Sequence, residues 1–173
     1  MREFILSLTA GIVSGIVATI LCFLVAALVK PKVKIAPNFC IKKTSDGVTY
    51  YQIKIVNLSL TMLTDIKYTM YFRERTADGN IRAFSVQPME NFCFISPYRI
   101  NGKGKEYAVK LKYAIDESKI KLTDNTELVF DIFATHNISK NVKHKRMIFK
   151  KNNGFENGTF EKGKSLEIIV PNG

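Results

Sequence analysis

The spacing of hydrophobic positions changes character once along this chain. From Phe4 to Val29 every residue is apolar or small and uncharged, with the thiol of Cys22 the only ionisable side chain. A helix of that stretch, at about 1.5 Å per residue, is roughly 39 Å long and exceeds the roughly 30 Å hydrocarbon core of a bilayer. A cleaved signal peptide is the competing reading, because Val25-Ala26-Ala27 has cleavage-like small residues and Arg2 could serve as a minimal basic flank. Its apolar region would be about 7–15 residues, so the longer run predicts an uncleaved anchor. Pro31 ends the helix, having no N–H to donate and disfavouring helix in the residue before it. The expected division is an anchor with a short tail over residues 1–30 and a folded domain over 31–173.

Beyond Pro31 the period becomes two. Tyr51, Ile53 and Ile55 share one face of a β-branched, aromatic run at Thr49–Val56, after a turn at Ser45-Asp46-Gly47. Ile66, Tyr68, Met70 and Phe72 then alternate with Lys67, Thr69, Tyr71 and Arg73, and Asp78-Gly79-Asn80 supplies the next turn. Further strands are expected at Ile81–Val86, Phe92–Ile95, Tyr107–Tyr113, Leu128–Ala134, Val142–Phe149 and Leu166–Val170. Asp116–Asp124 has room for one helical turn, and Asn152–Lys164, with three glycines, reads as a flexible loop. The expected fold is therefore mainly β: one transmembrane helix, then an antiparallel, Ig-like β-sandwich of about eight strands. With no Trp in the chain, the Cys…Trp…Cys hallmark of true immunoglobulin domains is missing.

Charge adds a location. The 173 residues carry 26 Lys+Arg against 15 Asp+Glu, a net charge of +11 that favours anionic partners. Lys30, Lys32, Lys34, Lys42 and Lys43 follow the apolar run, whereas Arg2 stands alone before it. By the retention of basic flanks on the cytoplasmic side, the domain faces the cytoplasm of a single-pass cell-membrane protein, the extracytoplasmic orientation being the alternative. The same five lysines are candidates for contact with anionic lipid. A second basic group spans Lys140–Lys151, and a third comprises Arg99, Lys103, Lys105, Lys110 and Lys112. A solvated surface is the plain alternative for both. On a strand Lys143 and Lys145 share one face, and His144 and Arg146 the other. Only Cys40 and Cys93 lie in the domain, too few for a disulfide-stapled scaffold, though one bridge between them is open. The acceptor-like triplets at Asn57, Asn137 and Asn157 are common by chance.

Within the apolar run Ser7, Gly11, Gly15 and Thr19 recur every four residues, with Ala10, Ser14, Ala18, Cys22 and Ala26 as an adjacent row. Small residues at this spacing let helix backbones approach closely, so self-association or pairing with another membrane helix is expected. Catalytic chemistry has little support. His136 and His144 fall in no zinc-binding spacing, no glycine-rich loop joins a strand to a helix, and Asp131 reads as a solvated outward residue on its strand. No metal or cofactor is expected. Nucleic acid ranks behind lipid because no aromatic-interleaved basic motif is present.

Tyr51-Gln52-Ile53-Lys54-Ile55-Val56-Asn57-Leu58-Ser59 and Ala134-Thr135-His136-Asn137-Ile138-Ser139-Lys140 together resemble uncharacterised small bacterial membrane proteins. In these, one N-terminal helix precedes an Ile-Lys-Ile-x-Asn strand and a late His-x-x-Ser turn in a β-sandwich. The resemblance implies a membrane-tethered, noncatalytic β domain. The layout is also loosely similar to membrane effectors of antiphage systems, which usually carry more than one helix. The leading expectation is a self-associating membrane protein whose sandwich binds an unidentified protein or small ligand. A membrane-anchored enzyme acting on an anionic substrate and a nucleotide-responsive effector are the alternatives.

Overall fold

A computed structural model describes residues 1–43, 49–76, 78–97, 107–115 and 123–170. The turn at Ser45–Gly47, most of Asp116–Asp124 and the cations Arg99, Lys103 and Lys105 lie outside that set.

Helix α1 (Arg2–Leu28) is one uninterrupted helix. It has the length and composition to cross a membrane, and its candidate span, Arg2–Ala26, is not buried within the protein. The hydroxyls of Thr9, Ser14 and Thr19 donate to the carbonyls of Leu6, Gly11 and Gly15 on the same helix (2.9, 3.0 and 2.8 Å). These three hydroxyl groups are thus satisfied within the helix, as an apolar surrounding requires.

The rest is a β-sandwich. In one sheet β3 (Thr49–Asn57) is central. Strands β1 (Val33–Ile35) and β2 (Phe39–Lys43) pair antiparallel with its two halves along one edge, and β6 (Ala108–Ala114) pairs antiparallel along the other. The short β9 (Phe155–Asn157) extends this sheet parallel to β2. The second sheet is antiparallel in the order β5 (Ile81–Val86), β4 (Leu63–Arg75), β7 (Thr126–His136), β8 (Val142–Lys150). A two-residue pair, β10 (Thr159–Phe160) with β11 (Ile168–Ile169), forms a separate antiparallel ladder packed on the first sheet.

Between the sheets lie Ile53, Ile55 and Leu111 from one side and Met70, Phe72, Phe130 and Ile132 from the other. Phe39 meets Phe149 edge-on across the gap at 4.7 Å. The alternation read at Ile66, Met70 and Phe72 is the buried face of β4, and its register slips between Thr64 and Lys67, where Asp65 has φ 48°. Such a bulge re-aims the strand at the sheet's end.

Several elements differ from the expectation. β1, β2, β9 and β10 are too short to show a period, so their pairing comes from tertiary context. The strand expected at Phe92–Ile95 is one bridge, Ile95 to Leu63. Asn152–Lys164 is packed structure. Phe160 is buried, the Gly154 carbonyl accepts from Phe39 N, and a Cβ at Gly154 would stand 2.7 Å from Phe149 Cβ.

This C-terminal segment lies over the outer face of β3 and buries Lys54 to 1% exposure; Lys54 Nζ donates to the carbonyls of Glu161 (2.7 Å) and Ser165 (2.6 Å). Burial, and then neighbouring Lys110, lowers the Lys54 pKa, with Glu161 opposing. Cys40 and Cys93 are both free. Cys40 is buried and its thiol donates to Gly158 O, so the bridge left open by the sequence is not formed.

Candidate membrane-proximal site

The end of the sandwich that meets α1 is built by three stretches: the helix exit, the β3–β4 loop and the β7–β8 turn. Val29 follows the last helical residue, and its carbonyl accepts from both Ser139 Oγ (2.7 Å) and Asn141 Nδ2 (2.8 Å). Carbonyls at a helix C-terminus lack partners within the helix, and here the β7–β8 turn supplies them. One turn on, Lys32 N donates to Ser59 Oγ (2.9 Å), while Leu58 N donates to Lys32 O (2.8 Å). The helix exit is thus hydrogen-bonded from both loops, Val29 by the β7–β8 turn and Lys32 by the β3–β4 loop.

Each loop is held by a buried polar side chain. Asn57 Nδ2 donates to the carbonyls of Thr61 (2.9 Å), Ile95 (3.2 Å) and Ser96 (3.0 Å), while its Oδ1 accepts from Ser59 N (2.8 Å). His136 is 2% exposed; its Nδ1 accepts from Ser139 N (3.2 Å). That leaves Nε2 carrying the proton and donating to Thr61 Oγ1 at 2.6 Å. Ser139 Oγ also lies 3.1 Å from His136 Nδ1, so the serine joins the buried histidine to the helix exit.

Around this polar frame the loop tips are apolar and open, Leu60 being 80% exposed and Ile138 65%. With Val25, Ala26 and Val29 of the helix side they line a groove of about 780 Å³, and Lys30 and Lys32 are its charged lining residues.

The sequence-predicted residues divide by position. Ser7, Gly11, Gly15 and Thr19 lie along exposed α1, and a Cβ at either glycine would meet nothing within 4 Å. Lys30, Lys32 and Lys34 gather at the helix-proximal end, with Lys34 opposite Val56. Lys42 and Lys43 pair with Tyr50 and Thr49 at the other end of β3, roughly 20 Å away at about 3.3 Å per residue. The five do not form one cluster. In the second basic group His144 and Arg146 do share a face, and both reach Asp131.

Asp131 corrects the reading of a solvated residue. It faces outward but is buried beneath Arg146, which binds both its oxygens (2.8–3.1 Å), and His144, whose Nε2 donates at 2.8 Å. His144 in turn stacks on Phe133 at 4.3 Å. Burial pushes the Asp131 pKa up, but the bonds from Arg146 and His144 outweigh it and hold it below its ordinary value.

Sequence reasoning missed Asn57, Ser59, Thr61, Ser139 and Asn141 as a unit. The available signal was that two of the three acceptor-like triplets place an apolar residue inside a polar loop, and both loops flank the helix exit.

No protein-family model matches the chain, and no curated protein matches it. A solved structure, wild-type OgpA from Akkermansia muciniphila, is similar over 72% of this chain and 29% of that one, at 14% identity and a TM-score of 0.33. The chain thus spans under a third of that protein.

Proposed function

We propose that this protein is a single-pass membrane component whose Ig-like sandwich is held directly on the bilayer surface and binds a protein or small ligand there without catalysing a reaction. The observation that carries this reading is the double hydrogen bond to Val29 O, joined by the Lys32–Ser59 bond. An apolar helix of membrane-spanning length is thereby joined to the sandwich by hydrogen bonds at its exit. A domain held this way presents one chosen end to the lipid and its free strand edges, β5 and β8, to partners.

The strand order supports the Ig-like assignment, since β1/β2, β3 and β6 in one sheet and β5, β4, β7 and β8 in the other follow the pattern of an immunoglobulin-type sandwich. Lys30, Lys32 and Lys34 are the contacts for anionic headgroups, and the basic flank favours a cytoplasmic domain. The likeness to small bacterial single-helix sandwich proteins is in keeping with a noncatalytic role.

Self-association through Ser7, Gly11, Gly15 and Thr19 belongs to the same reading. Sodium carbonate extraction of membranes from expressing cells tests the anchoring, with the chain expected in the pellet; its release at high pH would refute it. A membrane-helix association assay on the Gly11→Ile, Gly15→Ile double variant tests the contact. The expected result is reduced signal with insertion intact, whereas Ile12→Val and Val13→Ile controls change little. An unchanged signal in the double variant would remove self-association through this row.

A further inference from the structure

The groove at the helix exit has two kinds of wall. One wall is α1, where Cys22 and Ala26 continue the small-residue row of the helix and so leave space beside it. The other is loop residues Leu60 and Ile138, apolar tips left 80% and 65% exposed. Its volume of about 780 Å³ falls in the range of ligand sites, roughly 300–1,000 Å³. Among its lining residues the charged ones, Lys30 and Lys32, are cationic and sit where the helix leaves the apolar stretch. The polar side chains within it, Ser59, Thr61 and His136, are engaged with one another and with the backbone, so they ask nothing of a ligand.

We propose that the groove binds one anionic glycerophospholipid of the surrounding bilayer, with an acyl chain between α1 and the tips of Leu60 and Ile138 and the phosphate between Lys30 and Lys32. This rests on the membrane anchoring proposed above. Three features argue for lipid as the occupant. The helix wall is continuous with the apolar surface of α1; the apolar stretch and the cations follow one another in the order of chain and headgroup; and the charge of Lys30 and Lys32 complements a phosphate. An apolar tip beside the headgroups also avoids the cost of leaving it in water.

The test uses the full chain in phosphatidylcholine vesicles containing phosphatidylglycerol, with a trace of either lipid bearing a diazirine in its acyl chain. After irradiation, adducts are mapped by mass spectrometry. Adducts should concentrate on Leu60, Ile138 and the Cys22–Ala26 side of the helix, and more strongly for phosphatidylglycerol. Lys30→Ala and Lys32→Ala should each lower phosphatidylglycerol labelling about fivefold while leaving phosphatidylcholine labelling unchanged. Ala26→Phe fills the groove and should abolish adducts on Leu60 and Ile138, whereas Leu24→Phe, outside the groove, should not.

Cys22 gives a measurement independent of any variant. N-ethylmaleimide should react with it more slowly in phosphatidylglycerol-containing vesicles than in pure phosphatidylcholine, with exposed Cys93 as internal reference. Even labelling around the helix, or equal Cys22 rates in the two vesicles, overturns the groove while leaving the anchor intact. A Cys22–Cys22 cross-link in place of lipid adducts assigns the groove to a second copy and also overturns the proposal. Carbonate release of the chain overturns anchor and groove together.

Discussion

The two ends of this sandwich are built on opposite terms. At the end remote from the helix, the β4–β5 turn is closed by backbone and turn chemistry: Thr76 N and Oγ1 both donate to Asn80 O, and Gly79 takes φ 79°. Asp78, Gly79 and Asn80 there are exposed. At the helix end the loops are locked from within by buried Asn57 and His136, yet they carry exposed Leu60 and Ile138 at their tips. Turns of a water-facing domain need polar tips and little internal wiring. Rigid loops with apolar tips are what a surface pressed against lipid needs, because the tips must hold position to enter the interface while no buried donor goes unpaired.

The sharpest way to break the contrast is Asn57→Ala. The carbonyls of Thr61 and Ser96 and the N–H of Ser59 lose this partner, while the Ile95 carbonyl keeps Leu63 N, and the loss should be about 3 kcal/mol in urea unfolding of the full chain in detergent. A loss no larger than at the remote turn would erase the distinction between the ends. Next in size is Ser139→Ala with Asn141→Ala, which strips both donors from Val29 O. About 2 kcal/mol of stability should go. Spin labels on helix and sandwich should also report a broadened distance distribution, while an unchanged distribution would mean that other contacts hold the helix.

How much of this was legible in sequence depends on whether a residue's environment is made locally. Ile66, Met70 and Phe72 bury as their alternation predicts, and the apolar run became one helix, because each pattern is contained in a single element. Lys54 and Asp131 had their faces readable but not their burial. Lys54 is covered by carbonyls more than a hundred residues away, and Asp131 by two side chains of the neighbouring strand. Alternation tells which way a residue points and is silent on what lies above it. The membrane-proximal network had the same difficulty, since Val29, Ser59 and Ser139 come from three separate stretches. Short β1 and β2 gave no periodic signal at all.

Asp131 lies on a face between the two ends and calibrates an effect owed to neither. Its carboxyl has a depressed pKa in the folded state, so its stabilising contribution is present above the unfolded value and is lost as pH falls through the folded one. Asp131→Asn should cost about 1 kcal/mol at neutral pH. The gap to the parent should begin to narrow below roughly pH 4, the unfolded value, and close as pH falls through the depressed folded one; a gap unchanged at pH 3 would contradict the ion-pair account. The smallest effect is expected at the remote end. Gly79→Ala places a Cβ at positive φ with open space around it, and it should cost under about 1 kcal/mol in the same urea titration.

The central claim, that one end of the sandwich rests in the lipid interface, is most directly tested by the depth of single nitroxides at Leu60→Cys and Lys42→Cys. Native Cys22, Cys40 and Cys93 are replaced by alanine, and the full chain is reconstituted in phosphatidylglycerol-containing vesicles. The account predicts that the Leu60 label relaxes preferentially with oxygen and the Lys42 label with a water-soluble nickel chelate. Equal access of the chelate to both sites would contradict it.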